Sequence, residues 1–120
     1  MKNVFLLSAI ILLSFTRCTN KGIPEVSIPP SIQKKIDAFK SQPVQNPPAS
    51  IYRYNYNGQQ VYYINAPCCD RLSDLLNDKG EIICHPDGGI TGKGDGKCAD
   101  FAEKKTNEVL IWKDERGVKN

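Results

Sequence analysis

The chain has 120 residues, with 16 Lys and Arg against 13 Asp and Glu, a formal net charge of +3. That length bounds it to one small domain. The near balance of charge, without a basic run, excludes an electrostatic nucleic-acid binder.

Lys2 precedes an unbroken apolar run from Val4 to Leu13, followed by Ser14-Phe15-Thr16-Arg17-Cys18. A short positive end, an apolar core and a processing site predict an export signal over residues 1–17. The run is too short for a permanent span, which needs roughly 20 residues. Cys18 is the expected lipidated first residue of the mature chain, carrying palmitate-type acyl chains that hold it to a membrane. Arg17 departs from the small residue usual before such a cysteine. Residues 1–17 hold Lys2 and Arg17 and no acid, so the mature chain carries a net +1.

Residues 18–30 contain Gly22, Pro24, Pro29 and Pro30 and read as a tether. The remaining 31–120 form the domain. Ser31 is placed to cap a helix running to about Ser41, with Ile32, Ile36 and Phe39 on one apolar face and Lys34, Lys35 and Lys40 off it. Pro43 and Asn46-Pro47-Pro48 end it.

Asn57-Gly58 between Ile51–Tyr56 and Gln59–Asn65 is a strong hairpin signal, because a type I′ turn needs positive φ at both central residues. This turn pairs Tyr54 with Val61 and Tyr52 with Tyr63. Tyr52, Tyr54, Tyr56, Val61 and Tyr63 then share one face, and Ile51, Arg53, Asn55, Gln60, Tyr62 and Ile64 the other. Beyond it, Asp70 is expected to cap a helical turn through Leu76, with Leu72, Leu75 and Leu76 inward. Glu81–Cys84 reads as a strand, His85–Lys97 as a glycine-rich loop, Ala99–Lys105 as a helical turn and Glu108–Trp112 as a final strand. The expected fold is α+β: one N-terminal helix packed on a small antiparallel sheet, hairpin plus two strands, stapled by disulfides.

Cys68, Cys69, Cys84 and Cys98 remain after Cys18. In an oxidising envelope an even count favours two disulfides. A bond between the adjacent Cys68 and Cys69 closes a strained eight-membered ring. That leaves Cys68–Cys84 with Cys69–Cys98, or Cys68–Cys98 with Cys69–Cys84. Zinc held by the cysteines, or by three of them with His85, is the alternative, but there is no C-x-x-C spacing. A thiol-redox role is weakened by the same absence.

The loop Asp87-Gly88-Gly89-Ile90-Thr91-Gly92-Lys93-Gly94-Asp95-Gly96-Lys97-Cys98 resembles a phosphate loop but misses the G-x-x-x-x-G-K-[ST] register. Asp87, Asp95 and Asp100 could offer oxygen ligands to calcium, although the spacing is not that of an EF-hand. The simpler reading is a tight loop whose glycines allow positive φ. His85 is the single histidine, and no motif for nucleophilic catalysis accompanies it, so the expectation is a non-enzyme without cofactor. Asp70 and Asp74 could form an acid pair, but capping and solvation explain them. Aromatic rings on a sheet can bind a glycan or an apolar peptide, which makes Tyr52, Tyr54, Tyr56 and Tyr63 the candidate ligand-binding residues. The alternative is that this face is core, packed on Ile32, Ile36 and Phe39.

The blocks Val61-Tyr62-Tyr63-Ile64-Asn65-Ala66-Pro67-Cys68-Cys69-Asp70 and Ile83-Cys84-His85-Pro86, followed by the loop through Cys98, resemble a family of small Bacteroidota envelope lipoproteins classed as a domain of unknown function. The resemblance covers about residues 31–115. It implies an exported, lipid-anchored domain and supplies no substrate or catalytic residue. The expected role is therefore binding or assembly in the cell envelope, with an envelope protein or a glycan as partner. The alternatives are a zinc or calcium module and an inhibitor of exported proteases, the latter because a helix before an antiparallel meander is similar to cystatins in architecture only.

Overall fold

A computed structural model describes residues 25–117. The signal segment 1–17, Cys18 and the first part of the tether lie outside the described residues. The architecture is α+β: an N-terminal helix α1 (Pro30–Lys40), strands β1 (Ser50–Tyr56), β2 (Gln59–Ile64), β3 (Asp74–Leu76) and β4 (Ile82–Cys84), a helical turn α2 (Phe101–Lys104) and a last strand β5 (Thr106–Lys113). The sheet is antiparallel, in the order β4-β3-β2-β1-β5.

α1 starts with Pro30 at its first position, where a missing N–H costs nothing. Ser31 is not its cap. Its hydroxyl donates instead to the Asp78 carbonyl at 2.6 Å, tying the helix to the β3–β4 turn. The far end is closed from a distance. Arg116 donates to the carbonyls of Phe39, Lys40 and Gln42 at 3.0–3.1 Å. The same guanidinium grips the Asp114 carboxylate at 2.8 and 2.9 Å. Its bond and charge hold the Asp114 carboxyl below the ordinary range.

The hairpin follows its turn chemistry. Asn57 and Gly58 take φ of +48° and +77°, and Tyr54 pairs with Val61 and Tyr52 with Tyr63 as the Asn-Gly register requires. Around it the sheet is larger than expected. Residues 74–76 form β3, not the end of a helical turn starting at Asp70. Leu75 and Leu76 are fully buried on opposite faces, while Leu72 is exposed. Two adjacent leucines buried on opposite sides are the alternation of a strand.

The sheet is covered on both faces. Against one lies α1: Ile32, Ile36, Ile51, Tyr62, Ile64 and Leu76 form a cluster, with Phe39 stacked on Trp112 at 5.9 Å. The tyrosine face is on the other side and does not meet the helix, contrary to the expectation that Ile32, Ile36 and Phe39 cover it. There Tyr54, Tyr56, Val61, Leu75, Cys84, Cys98 and Phe101 pack together, with Tyr52 and Tyr63 at the margin. The alternation of β1 and β2 admits both clusters, because Tyr62 and Ile64 point away from Val61 and Tyr63.

One disulfide closes the second cluster: Cys84 to Cys98, with Cα atoms 6.2 Å apart. Neither expected pairing of Cys68 and Cys69 with these residues is present, and both remain free thiols. The reason is placement. Cys84 ends β4 beside Leu75 and Cys98 leads into α2, so both sulfurs are buried under Phe101. Cys68 and Cys69 sit in a partly exposed turn after β2. Among the described residues, no helix is long and apolar enough to cross a membrane.

Candidate functional site

The glycine-rich segment between Cys84 and Cys98 is the least conventional part of the fold. It is nevertheless hydrogen-bonded along its length. Ser73 N–H donates to the Asp87 carbonyl at 3.1 Å, and Gly89 N–H to that of Arg71 at 3.1 Å. Across the loop, Gly94 N–H donates to Gly88 at 3.1 Å and Asp95 N–H to His85 at 2.9 Å. Two glycines are required by space as well as by φ. A Cβ on Gly88 (φ +83°) would strike the Arg71 carbonyl, and one on Gly94 (φ +67°) would strike that of His85. The segment is therefore a fixed scaffold, and its tip carries Ile90 with 89% of its surface exposed. Leu72, also exposed, lies beneath the tip, bridged through its backbone to Gly88.

The three loop aspartates are spent on this scaffold. Asp87 accepts the Tyr63 hydroxyl at 2.9 and 3.1 Å. Asp95 accepts the backbone N–H groups of Lys97 at 2.9 Å and His85 at 3.1 Å, which lower its pKa. Asp100 accepts the Tyr56 hydroxyl at 2.6 Å and pairs with Lys104 at 2.7 Å. The lysine, then the tyrosine, holds its carboxyl below the ordinary range. They do not converge on one point. Among the described residues no group of three or more His, Cys, Asp or Glu is arranged to hold a metal ion.

The candidate tyrosines are also committed. Phe101 lies edge-on to Tyr54 and Tyr56 at 5.5 and 5.3 Å and stacks on Tyr63 at 6.1 Å. Tyr54 donates to Glu108 at 2.9 Å, and Lys105 sits 4.6 Å over its ring. Burial, then the Asp87 contact, pushes the Tyr63 hydroxyl up to about 12. Burial and Glu108 raise that of Tyr54. Tyr54 and Tyr56 are buried, and Tyr52 and Tyr63 keep partial access. What the sequence offers as an open platform is thus a ring layer roofed by α2.

His85 stands beside a serine and an aspartate, Ser73 and Asp74. Its Nδ1 lies 2.8 Å from the Ser73 carbonyl oxygen and 3.0 Å from Asp74 Oδ1. With two acceptors facing it, Nδ1 carries the hydrogen. Ser73 presents its carbonyl to the ring, and its hydroxyl is engaged with the Asp87 main chain at 3.1 and 3.2 Å. Residue types of an acyl-transfer triad are adjacent here without being arranged as nucleophile and base.

Ile90 was not singled out from the sequence. Its signal was one large apolar side chain isolated among glycines and charges.

Fold and site together define a small, sheet-centred α+β domain displaying a braced glycine loop. The model of the Domain of unknown function (DUF6970) matches residues 37–114, and the chain belongs to that family. The matched span runs from within α1 through β5 and includes both halves of the loop and its disulfide. Neither a curated protein nor a solved structure matches the chain.

Proposed function

We propose that this protein is a non-enzymatic, exported lipoprotein, anchored through Cys18 to a membrane of the bacterial cell envelope, whose domain binds a protein partner with the tip of its glycine-rich loop. The observation that carries the binding reading is Ile90, 89% exposed on a loop held rigid by its own hydrogen bonds and a disulfide. A large apolar side chain on an ordered loop is available for contact without an ordering cost at the moment of binding. The chemistry around His85 supports a non-enzyme, because the neighbouring serine hydroxyl is turned into the scaffold. Anchoring rests on the pattern Lys2, Val4–Leu13 and Cys18.

Two measurements test the two parts. Metabolic labelling with palmitate is expected to mark the wild type and not Cys18→Ala. A photo-crosslinking residue at Lys93, introduced in the cell of origin, is expected to give a discrete envelope adduct that Ile90→Asp abolishes. Label retained in Cys18→Ala refutes the anchor. No adduct, or an adduct indifferent to Ile90→Asp, refutes the loop.

A further inference from the structure

With Cys84 and Cys98 joined in the core, the other two cysteines among the described residues, Cys68 and Cys69, are left to each other. Cys68 is half-buried and Cys69 exposed, and both are free. They occupy a tight turn closed by Arg71 N–H donating to the Cys68 carbonyl at 3.0 Å. Cys69 takes a φ of +55°, rare for a residue with a side chain. In an extended chain adjacent side chains point apart. Here the left-handed φ of Cys69 departs from that extended geometry, and the neighbouring Cys69 thiol raises the pKa of Cys68.

We propose that Cys68 and Cys69 form a reversible two-electron thiol–disulfide site that takes small disulfides of the glutathione class. The exposed Cys69 thiolate attacks one sulfur of the incoming disulfide, forming a mixed disulfide and expelling the first thiolate. Cys68, having lost its proton to solvent, attacks the Cys69 sulfur and expels the second. The pair loses two electrons and two protons, and the small disulfide becomes two thiols.

The ring so formed is not a staple. Adjacent Cα atoms lie about 3.8 Å apart, short of the roughly 4.4–6.8 Å usual for a disulfide. Such a bond is strained and readily accepts two electrons to return to the thiols, which marks labile rather than structural disulfides. The molecule thus carries two disulfide chemistries, a buried permanent one at Cys84–Cys98 and an exposed reversible one at Cys68–Cys69. The proposal uses the proposed export only for a source of oxidant, and its test does not depend on where the protein resides.

The test uses the full chain, mildly reduced so that Cys84–Cys98 stays closed, then equilibrated with reduced and oxidised glutathione. Alkylation and peptide mapping report each cysteine separately, Cys18 included. The expected wild-type product is a peptide with Cys68 and Cys69 short of two hydrogens and free of glutathione. Cys68→Ser is expected to stop at a stable glutathione adduct on Cys69. In the reduced state, a trivalent arsenical, which needs two neighbouring thiols, is expected to bind the wild type and neither Cys68→Ser nor Cys69→Ser. A wild type that retains glutathione on either residue, links to a second copy, or joins Cys68 or Cys69 to Cys84 or Cys98 overturns the proposal. So does arsenical binding that survives either substitution.

Discussion

Replacing Cys84 and Cys98 together by alanine tests the assigned connectivity through stability. The bond joins residues 14 positions apart. Closing a loop of that size removes enough freedom from the unfolded chain to stabilise the fold by about 3 kcal/mol. For a domain of this size each kcal/mol corresponds to roughly 4–8 °C in melting temperature, so the double variant is expected to melt roughly 12–24 °C lower. Near-UV circular dichroism is the natural assay, because the affected cluster contains Tyr54, Tyr56 and Phe101. Replacing Cys68 and Cys69 by alanine supplies the contrast. These residues line no core cluster, so the expected change is about 0.5 kcal/mol or less. Equal losses from the two pairs, or no loss from Cys84 and Cys98, would refute the pairing and the account of the second core built on it.

Other predictions follow from the same contacts. Gly94→Ala is expected to cost at least the roughly 1–3 kcal/mol of a left-handed non-glycine residue, and its collision with the His85 carbonyl should appear as faster exchange of the Asp95 amide. Phe101→Ala removes the ring that touches Tyr54, Tyr56 and Tyr63 and is expected to destabilise by about 3–5 kcal/mol in chemical unfolding. Tyr63 has a folded pKa of about 12 against an ordinary value of 10.0. The folded state therefore holds that proton more tightly than the unfolded state. Its contribution to stability is complete below pH 10 and is lost as pH rises toward 12. Ultraviolet titration should show ionisation of Tyr63 delayed until unfolding, and Tyr63→Phe should flatten that part of the pH–stability curve. A normal titration of all tyrosines in folded protein would refute the burial described here.

The parts of the fold legible in the sequence were those fixed by local stereochemistry. Asn57-Gly58 demands one turn type, and that turn sets the whole β1–β2 register. Ile32 and Ile36 recur at helical spacing and are buried accordingly. Where three residues had to declare a strand, the pattern was too short: Leu72, Leu75 and Leu76 match a helical face as well as Asp74–Leu76 matches a strand. The two faces of the hairpin were sorted correctly into sets, but both sets are rich in large apolar groups, so composition did not say which one meets α1. That is decided by Cys98 and Phe101, which arrive from later in the chain to cover the tyrosines. Cysteine pairing depends on the same long-range placement and has no local signature. Nor does the role of Arg116, which is defined by carbonyls on a helix more than 70 positions earlier.

That distant clasp bears on how the domain is assembled. β1 to β4 join neighbours in sequence and can pair as each emerges, whereas β5 returns to β1 and carries Arg116 back to the end of α1. Loop-closure entropy must be met before such contacts repay it. The meander is thus expected to form early, and the docking of 106–116 to be the event that commits the chain. A chain whose 106–116 segment has not yet docked would leave one side of β1 unpaired and the α1 carbonyls open, a species prone to edge-to-edge association until that segment returns.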